Sequence, residues 1–104
     1  MIEQTLTLPC GHTLPNRLGK AAMTEGLADA HDRATPAHQR LYQTWARGGA
    51  ALLLTGNLMI DRRYLERAGN VVLEDESGLA PLRDWARTVR DSGSAYFQAK
   101  LVLD

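Results

Sequence analysis

The order of its regular segments limits the fold of this chain more than any other feature, because strand-like and helix-like stretches alternate. Apolar runs typical of strands lie at residues 17–23, 50–55 and 95–103. Stretches with helical periodicity separate them, at residues 36–47 and 79–91. Consecutive strands that are joined through a helix pair in parallel with right-handed crossovers, so this order predicts an α/β fold.

Both helical segments have boundary signals and an apolar face. Thr35 and Pro36 are typical of a helix start, and Gly48 with Gly49 supplies the stop. Gly93 is expected at the position just past the second helix, where glycine often turns left-handed. The apolar spacing predicts that five side chains lie on the buried faces: Leu41, Trp45, Leu82, Trp85 and Val89.

Two further segments complete the predicted organisation. Residues 6–8 and 12–14 flank the turn-forming run Pro9-Cys10-Gly11, which predicts a short hairpin ahead of the first long strand. Residues 61–77 are polar and irregular apart from the apolar run 71–73. Such a long excursion is more often functional than idle, so it is expected to shape a binding mouth.

Charge and hydropathy exclude several classes of partner. Twelve Lys and Arg residues balance twelve Asp and Glu residues without a long run of one sign, so neither a nucleic acid nor a membrane partner is indicated. No apolar stretch approaches the roughly 18 residues of a membrane-spanning helix. The N-terminus lacks the pattern of a signal peptide, and a cytoplasmic location is the expectation.

The residues that most often bind metals form no pattern here. Cys10 is the only cysteine, so an internal disulfide and a cysteine-rich metal cluster are both excluded. His12, His31 and His38 are expected at the surface, without a carboxylate at ligand spacing. No metal site is predicted.

The order of segments alone fits a Rossmann-like sheet as well as a barrel, so the choice depends on the loops. Neither a G-x-G-x-x-G fingerprint nor a phosphate-binding P-loop follows a strand. Three runs instead occur at the strand positions: Asn16-Arg17-Leu18-Gly19-Lys20-Ala21-Ala22-Met23-Thr24, Leu52-Leu53-Leu54-Thr55-Gly56-Asn57 and Tyr96-Phe97-Gln98. Together they resemble the opening of the old yellow enzyme family, the flavin-dependent NAD(P)H oxidoreductases.

The resemblance implies the N-terminal portion of a (β/α)8 TIM barrel. Residues 1–104 would form one partial domain, with about three parallel strands and two outer helices after the hairpin. A complete barrel needs about 250 residues, whereas this chain has 104. After Gln98 the family continues with a histidine and a Gly-Arg pair, whereas this sequence reads Ala99-Lys100-Leu101-Val102-Leu103-Asp104. Truncation after the third strand is therefore the expectation.

The resemblance also implies which residues would contact a flavin, because the family binds its cofactor across the C-terminal mouth of the barrel. Ala22, Met23 and Thr24 correspond to the end of the first strand, which lends backbone groups and a hydroxyl to the ring. Asn57 aligns with a small residue near the flavin pyrimidine, and Gln98 with a glutamine that pairs with its polar edge. Thr24, Asn57 and Gln98 are thus expected at one end of the sheet. A turn-forming role for the threonine and solvation of the glutamine are the alternatives.

The implied chemistry is reduction of FMN by NAD(P)H, followed by hydride transfer to a small-molecule acceptor such as an activated alkene. No catalytic residue is assigned, because the family's His/Asn or His/His pair and its proton-donating tyrosine come from later strands. The phosphate-binding loops also come later, so the chain alone is expected to bind FMN weakly and to be inactive. The alternative is a non-catalytic truncated α/β module that acts only by association, since exposed strand edges permit self-association.

Overall fold

The elements follow the predicted order in a computed structural model, which describes residues 1–93 and 96–102. In chain order they are β1 (Leu6–Thr7), β2 (Thr13–Leu14), β3 (Gly19–Lys20), α1 (Pro36–Arg47), β4 (Leu52–Met59), β5 (Val71–Val72), a 3-10 turn (Glu76–Gly78), α2 (Leu79–Ser92) and β6 (Tyr96–Val102). The hairpin is confirmed, because β1 and β2 pair antiparallel. No helix among the described residues is both long and apolar enough to cross a membrane.

β4 is the centre of the main sheet, and each of its partners is parallel to it. β6 pairs with it over most of its length, from Leu52 opposite Tyr96 to Met59 opposite Val102. β3 pairs with the first part of β4, and β5 pairs with its last part. Because β6 occupies one edge of β4, β3 and β5 both lie along the opposite edge. The parallel α/β arrangement predicted from the sequence is therefore confirmed.

The strand lengths differ from the prediction at both β3 and β4. The predicted strand 17–23 forms ladder pairs only at Gly19 and Lys20. Further along, the backbone N–H of Gly56 donates to the side chain of Glu25, so it is not available to a backbone carbonyl of the neighbouring strand. β4 is longer than the predicted run 50–55, because β5 and β6 provide partners as far as Met59. Ala95 and Leu103, the predicted ends of the last strand, lie outside the described residues.

The helix boundaries agree closely with the prediction, but one glycine has another role. α1 has the predicted limits, and Gly49 after it is left-handed with φ 104°. α2 begins at Leu79 as predicted and ends at Ser92, one residue later than expected. Gly93 has φ 178°, so its assignment to a left-handed position is wrong. A Cβ at Gly93 would lie 2.8 Å from the carbonyl oxygen of Ala46, so glycine is needed for close packing against α1.

The core lies between the two helices and one face of the sheet. Trp85 and Val89 are fully buried, while Leu41, Trp45 and Leu82 are partly buried and pack against the same cluster. The predicted faces are thus confirmed, but in α1 the deepest positions are His38, Tyr42 and Ala46, spaced by four residues. Aromatic rings link the layers, since Trp85 lies 4.9 Å from Tyr42 and 5.4 Å from Phe97 between ring centroids.

His38 corrects the expectation that all three histidines are at the surface. His12 and His31 are exposed, whereas His38 is 0% exposed and its ring lies 4.6 Å from that of Trp85. Its Nδ1 accepts a hydrogen bond of 3.0 Å from the backbone N–H of Thr35, at the start of α1. The ring therefore satisfies a helix-terminal donor that has no partner within the helix. Burial lowers the pKa of His38.

The buried His38 predicts an acid-sensitive fold. Its folded pKa lies below the unfolded value of about 6.5, so the unfolded chain binds the proton first as the pH falls. The free energy of unfolding should therefore decrease below about pH 6.5 and flatten only beneath the folded pKa. Urea unfolding between about pH 7 and 5 measures this slope, which His38→Gln should reduce and the exposed control His31→Gln should leave unchanged. Equal slopes in all three proteins would contradict the prediction.

Gly56 marks an irregularity in β4 that should tolerate no side chain. The register of β4 against β6 shifts between Leu54 and Asn57, as in a β-bulge. A Cβ at Gly56 would lie 2.5 Å from the carbonyl oxygen of Met23 and 2.7 Å from Cα of Thr24. Both of these are backbone atoms, which cannot rotate away, and the third close atom, Oε1 of Glu25 at 2.6 Å, belongs to a side chain that is bonded to Tyr42 and Gly56.

Gly56→Ala should lower the free energy of unfolding by about 1–3 kcal/mol, because the added methyl group overpacks the junction. Gly19→Ala is the matched control on the neighbouring strand, where the nearest atoms to a Cβ lie 3.8 Å away, in ordinary contact. It should change stability by no more than about 0.5 kcal/mol. Urea denaturation of both variants checks the difference, and an equal effect would show that the close approach is absent in solution.

Candidate functional site

The end of β3 and the second half of β4 bring several of the proposed flavin contacts together. Thr24 lies beside Gly56, whose next neighbour in the chain is Asn57. Met23 is 54% exposed, while Ala22, Thr24 and Asn57 are half-buried. Polar and apolar groups of β4 and of the segment that follows β3 therefore meet at a partly accessible surface.

Gln98 does not share this position, and Asn57 is not at a strand end. Gln98 is the third residue of β6 and pairs with Leu54, whereas the partner of Asn57 is Lys100. At a rise of about 3.3 Å per residue, the levels of Leu54 and Asn57 are roughly 7–10 Å apart along the strand. Asn57 is followed by two more residues of β4. Thr24 and Asn57 are therefore adjacent, but the expectation that the three residues gather at one end of the strand layer is wrong, because Asn57 lies inside β4 and Gln98 lies at a lower level.

Two loops pack against each other beyond these strands. A backbone hydrogen bond of 3.1 Å from Ala28 to Gly69 joins the loop after β3 to the loop after β4, and one of 2.8 Å from Val72 to Asp32 joins the loop after β3 to β5. A Cβ at Gly69 would lie 2.9 Å from backbone atoms of Gly26, so the loops touch closely. The long segment predicted from the sequence at residues 61–77 therefore packs against the loop after β3, beside Thr24.

The hydroxyl of Thr24 has a hydrogen-bond partner in this segment. It donates to the carboxylate of Glu66, at 3.2 Å from Oε2 and 3.4 Å from Oε1. Asn70 is 1% exposed, and its side-chain amide donates to the same carboxylate at 3.3 Å. The side chain of Thr24 therefore belongs to a polar contact between the two loops.

The aspartates of these loops have structural partners. The carboxylate of Asp29 accepts hydrogen bonds from the backbone N–H groups of His31 and Arg33, at 2.8 and 3.0 Å. Asp61 forms an ion pair of 2.7 Å with Arg63, whose hydrogen bonds lower the pKa of Asp61 to about 2. These carboxylates are ionised at neutral pH and hold turns, so none of them has the environment of a general base.

A buried polar network fastens β3 and the segment after it, which contains Thr24, to β4, which contains Asn57, and the sequence did not reveal it. The ammonium group of Lys20 donates to the hydroxyl of Tyr42 at 2.8 Å and also to the carbonyl of Leu54. The hydroxyl of Tyr42 donates to Glu25. The same carboxylate accepts the N–H of Gly56 at 2.9 Å, so a chain of hydrogen bonds joins β3, α1 and β4.

The electrostatics of this network follow from its burial. Tyr42 is 0% exposed, and burial together with the hydrogen bond to Glu25 raises its pKa, so the hydroxyl remains protonated. Burial lowers the pKa of Lys20, an effect that the nearby charge of Glu25 partly opposes. The ammonium group also lies 4.8 and 5.0 Å from the ring centroids of Tyr42 and Trp45, where it interacts with their π faces. The network therefore contains one cation and one anion that share a hydroxyl.

Metal binding has no structural support in the part of the chain that the structure describes. No group of three or more His, Cys, Asp or Glu side chains there could hold an ion.

Tyr42→Phe should destabilise the fold, because it removes the hydroxyl that both Lys20 and Glu25 use. The expected loss in free energy of unfolding is about 1.5–3 kcal/mol, the range for a hydrogen bond that involves charged partners. Tyr64→Phe is the control, since Tyr64 is exposed. Chemical denaturation of both variants should show a lower midpoint only for Tyr42→Phe, and a shift shared by both would contradict the role given to the network.

Comparisons with known proteins identify relatives of this sequence. A scan against models of protein families finds no match. The NADH-dependent flavin oxidoreductase iliE of Hypocrea jecorina (strain QM6a) is 39% identical over 93 residues, which cover 86% of this chain and 23% of that protein. The NADH-dependent flavin oxidoreductase iccE of Talaromyces variabilis is 32% identical over 97 residues, which cover 89% of this chain and 23% of that protein. The chain thus spans about a quarter of the length of these curated relatives.

Solved structures show the same fold at lower identity. The old yellow enzyme homologue from Zymomonas mobilis matches 96% of this chain with a TM-score of 0.84 and 18% identity, over 27% of its own length. Morphinone reductase matches 96% of this chain with a TM-score of 0.83, over 25% of its own length. The predicted part-barrel is therefore confirmed. In sequence the chain is therefore similar to NADH-dependent flavin oxidoreductases over about a quarter of their length, and its fold matches the corresponding part of the old yellow enzyme homologues.

Proposed function

We propose that this chain supplies part of the flavin-binding surface of an FMN-dependent NAD(P)H oxidoreductase. The observation that carries the proposal is the 39% identity to an NADH-dependent flavin oxidoreductase over 93 residues. It is supported by the close approach of Thr24, in the segment after β3, to Gly56 and thus to the neighbouring Asn57 of the parallel strand β4. When bound, FMN would accept hydride from NAD(P)H and pass it to an activated alkene or a similar acceptor.

The groups around Gly56 fit the edge of a flavin ring. Isoalloxazine carbonyl and imide groups need hydrogen-bonding partners, and Thr24 and Asn57 supply a hydroxyl and an amide on half-buried side chains. The exposed Met23 adds an apolar and polarisable side chain that suits contact with an aromatic ring. The close approach of the two strands at Gly56 fixes the spacing between these groups.

Each residue has a separate task in this proposal. The hydroxyl of Thr24 would donate to a ring carbonyl and thereby tune the electron demand of the flavin. Asn57 would border the pyrimidine part of the ring, next to Thr24. Gln98 pairs with Leu54, roughly 7–10 Å from the level of Asn57 along the strand, so its amide would reach the ring only from that side.

No residue for activating an acceptor is proposed among the described residues. His38 is buried between α1 and α2, and His31 forms part of a turn closed by Asp29. Positioning and electrostatic stabilisation of a transition state account for large rate factors, and both need groups that touch the acceptor. We therefore expect the chain alone to contact the flavin ring but not to catalyse the reaction.

A second function, association through a strand edge, is favoured by the exposed side of β6. Among the described residues, β6 has a ladder partner on one edge only, and Leu101 is 59% exposed. An unpaired edge can accept a strand from another chain. Analytical ultracentrifugation distinguishes this alternative, because an association module should form oligomers whether or not FMN is present.

The purified 104-residue chain should bind FMN weakly and show no steady NAD(P)H oxidation with an enone acceptor. Quenching of FMN fluorescence measures the affinity, and absorbance at the nicotinamide band measures turnover. Thr24→Val should weaken binding by less than about threefold, because the hydroxyl exchanges its bond to Glu66 for one to the ring. Thr5→Val is the control, since Thr5 is exposed and outside the site. Absence of FMN binding would contradict the proposed function, and steady turnover would contradict the expected lack of activity.

A further inference from the structure

The hydroxyl of Thr24 has a competing partner, and this has a consequence for flavin binding. In the structure it donates to the carboxylate of Glu66, which follows 42 positions later in the chain. The proposed function assigns the same hydroxyl to a carbonyl of the flavin ring. A threonine hydroxyl has one proton to donate, so it cannot serve both acceptors fully.

The carboxylate of Glu66 is held in place by its own loop. The buried amide of Asn70 donates to it, while Oδ1 of Asn70 accepts the backbone N–H of Arg67 at 2.8 Å. The guanidinium of Arg67 lies 3.7 Å from the same carboxylate. The loop is in turn bonded to the loop after β3 through Ala28 and Gly69. Asn70 and Arg67, which are bonded to each other, therefore hold the carboxylate of Glu66 next to Thr24.

We propose that Glu66 is a positioning residue that competes with the flavin for the proton of Thr24 and so sets the affinity for the ring. This inference rests on the proposed function. An ionised carboxylate is a stronger acceptor than a neutral flavin carbonyl, so the bond to Glu66 must be weakened before Thr24 can donate to the ring. The net contribution of the Thr24 hydroxyl to flavin binding is therefore the difference in free energy between its bond to the flavin and its bond to Glu66.

Three substitutions separate competition for the proton from the effect of charge. Glu66→Ala removes the acceptor and the charge together. Glu66→Gln removes the charge but keeps an amide oxygen that can accept from Thr24. Combining Thr24→Val with Glu66→Ala removes the proton for which the two acceptors compete. Glu3→Ala is the control, because Glu3 is an exposed glutamate close to the N-terminus.

FMN is titrated into the wild-type chain and each variant, with fluorescence quenching as the readout. Glu66→Ala should bind FMN about three- to tenfold more tightly than the wild type, and Glu66→Gln should show a smaller gain, because its neutral amide oxygen is a weaker acceptor than the carboxylate but still competes for the proton. In the Thr24→Val background, Glu66→Ala should give no gain. A gain that persists in that background, or that Glu66→Gln shares in full, would assign the effect to charge and overturn the proposal.

Two spectroscopic measurements test the contact itself. The carbonyl stretching band of bound FMN should move to lower frequency in Glu66→Ala, because the hydroxyl of Thr24 then donates fully to the ring. Without flavin, the methyl resonance of Thr24 should shift in Glu66→Ala and remain unchanged in Glu3→Ala. An unchanged methyl resonance in Glu66→Ala would show that the contact is absent in solution and would overturn the proposal.

The two proposals fail in different ways. Absence of FMN binding in the wild type and in every variant would contradict the proposed function, and the inference with it. Binding by the wild type with the same affinity in Glu66→Ala would overturn the inference alone. Circular dichroism of each variant establishes that the chain is folded before the titrations are compared.

Discussion

The irregularity of β4 at Thr55 and Gly56 determines which side chains face the core and which face the site. Leu53 and Leu58 both belong to the core cluster on the helix side, although residues five apart in a regular strand point to opposite faces. One extra residue in β4 restores the alternation after the bulge. Asn57, next to Leu58, therefore points away from the helices, toward the side on which a barrel would enclose its interior. Without the bulge this polar side chain would face the apolar layer.

Such a bulge leaves backbone groups without ladder partners, and side chains satisfy them here. The hydroxyl of Thr55 accepts the backbone N–H of Lys100 at 2.9 Å, and the carboxylate of Glu25 accepts the N–H of Gly56. Glu25 is itself bonded to Tyr42, which is bonded to Lys20. The contacts that allow the bulge therefore also hold β3 and α1 against β4. Stability of the fold and geometry of the site depend on the same few bonds.

Features that depend on neighbouring residues could be predicted from the sequence, whereas features that depend on contacts between distant segments could not. Thr35 with Pro36 and the left-handed Gly49 defined α1 fully, because caps and glycine conformations depend on neighbouring residues. His38 was misplaced, because its burial arises from Trp85 on another helix. Gly93 was recognised as significant for the wrong reason, since its constraint is the carbonyl of Ala46. Periodicity carries no information about such contacts between distant segments.

The candidate site shows the same division. The adjacency of Thr24 and Asn57 follows from parallel strand order, whereas the position of Gln98 depends on the register of β6, which apolar content does not fix. The network around Glu25 and the contact of Thr24 with Glu66 each join residues far apart in the chain.

The polar groups beside β4 already satisfy one another in the described structure, and this limits what they can contribute to binding. The hydroxyl of Thr24 is bonded to Glu66, and Glu66 is bonded to Asn70. A ligand that takes the proton of Thr24 exchanges one hydrogen bond for another, and such exchanges contribute far less than the bond itself. Apolar contact of a ligand with Met23 and with the backbone near Gly56 requires no such exchange of hydrogen bonds. The affinity for a flavin ring at this surface should therefore come mainly from shape and apolar contact, while the hydroxyl of Thr24 determines the orientation of the ring.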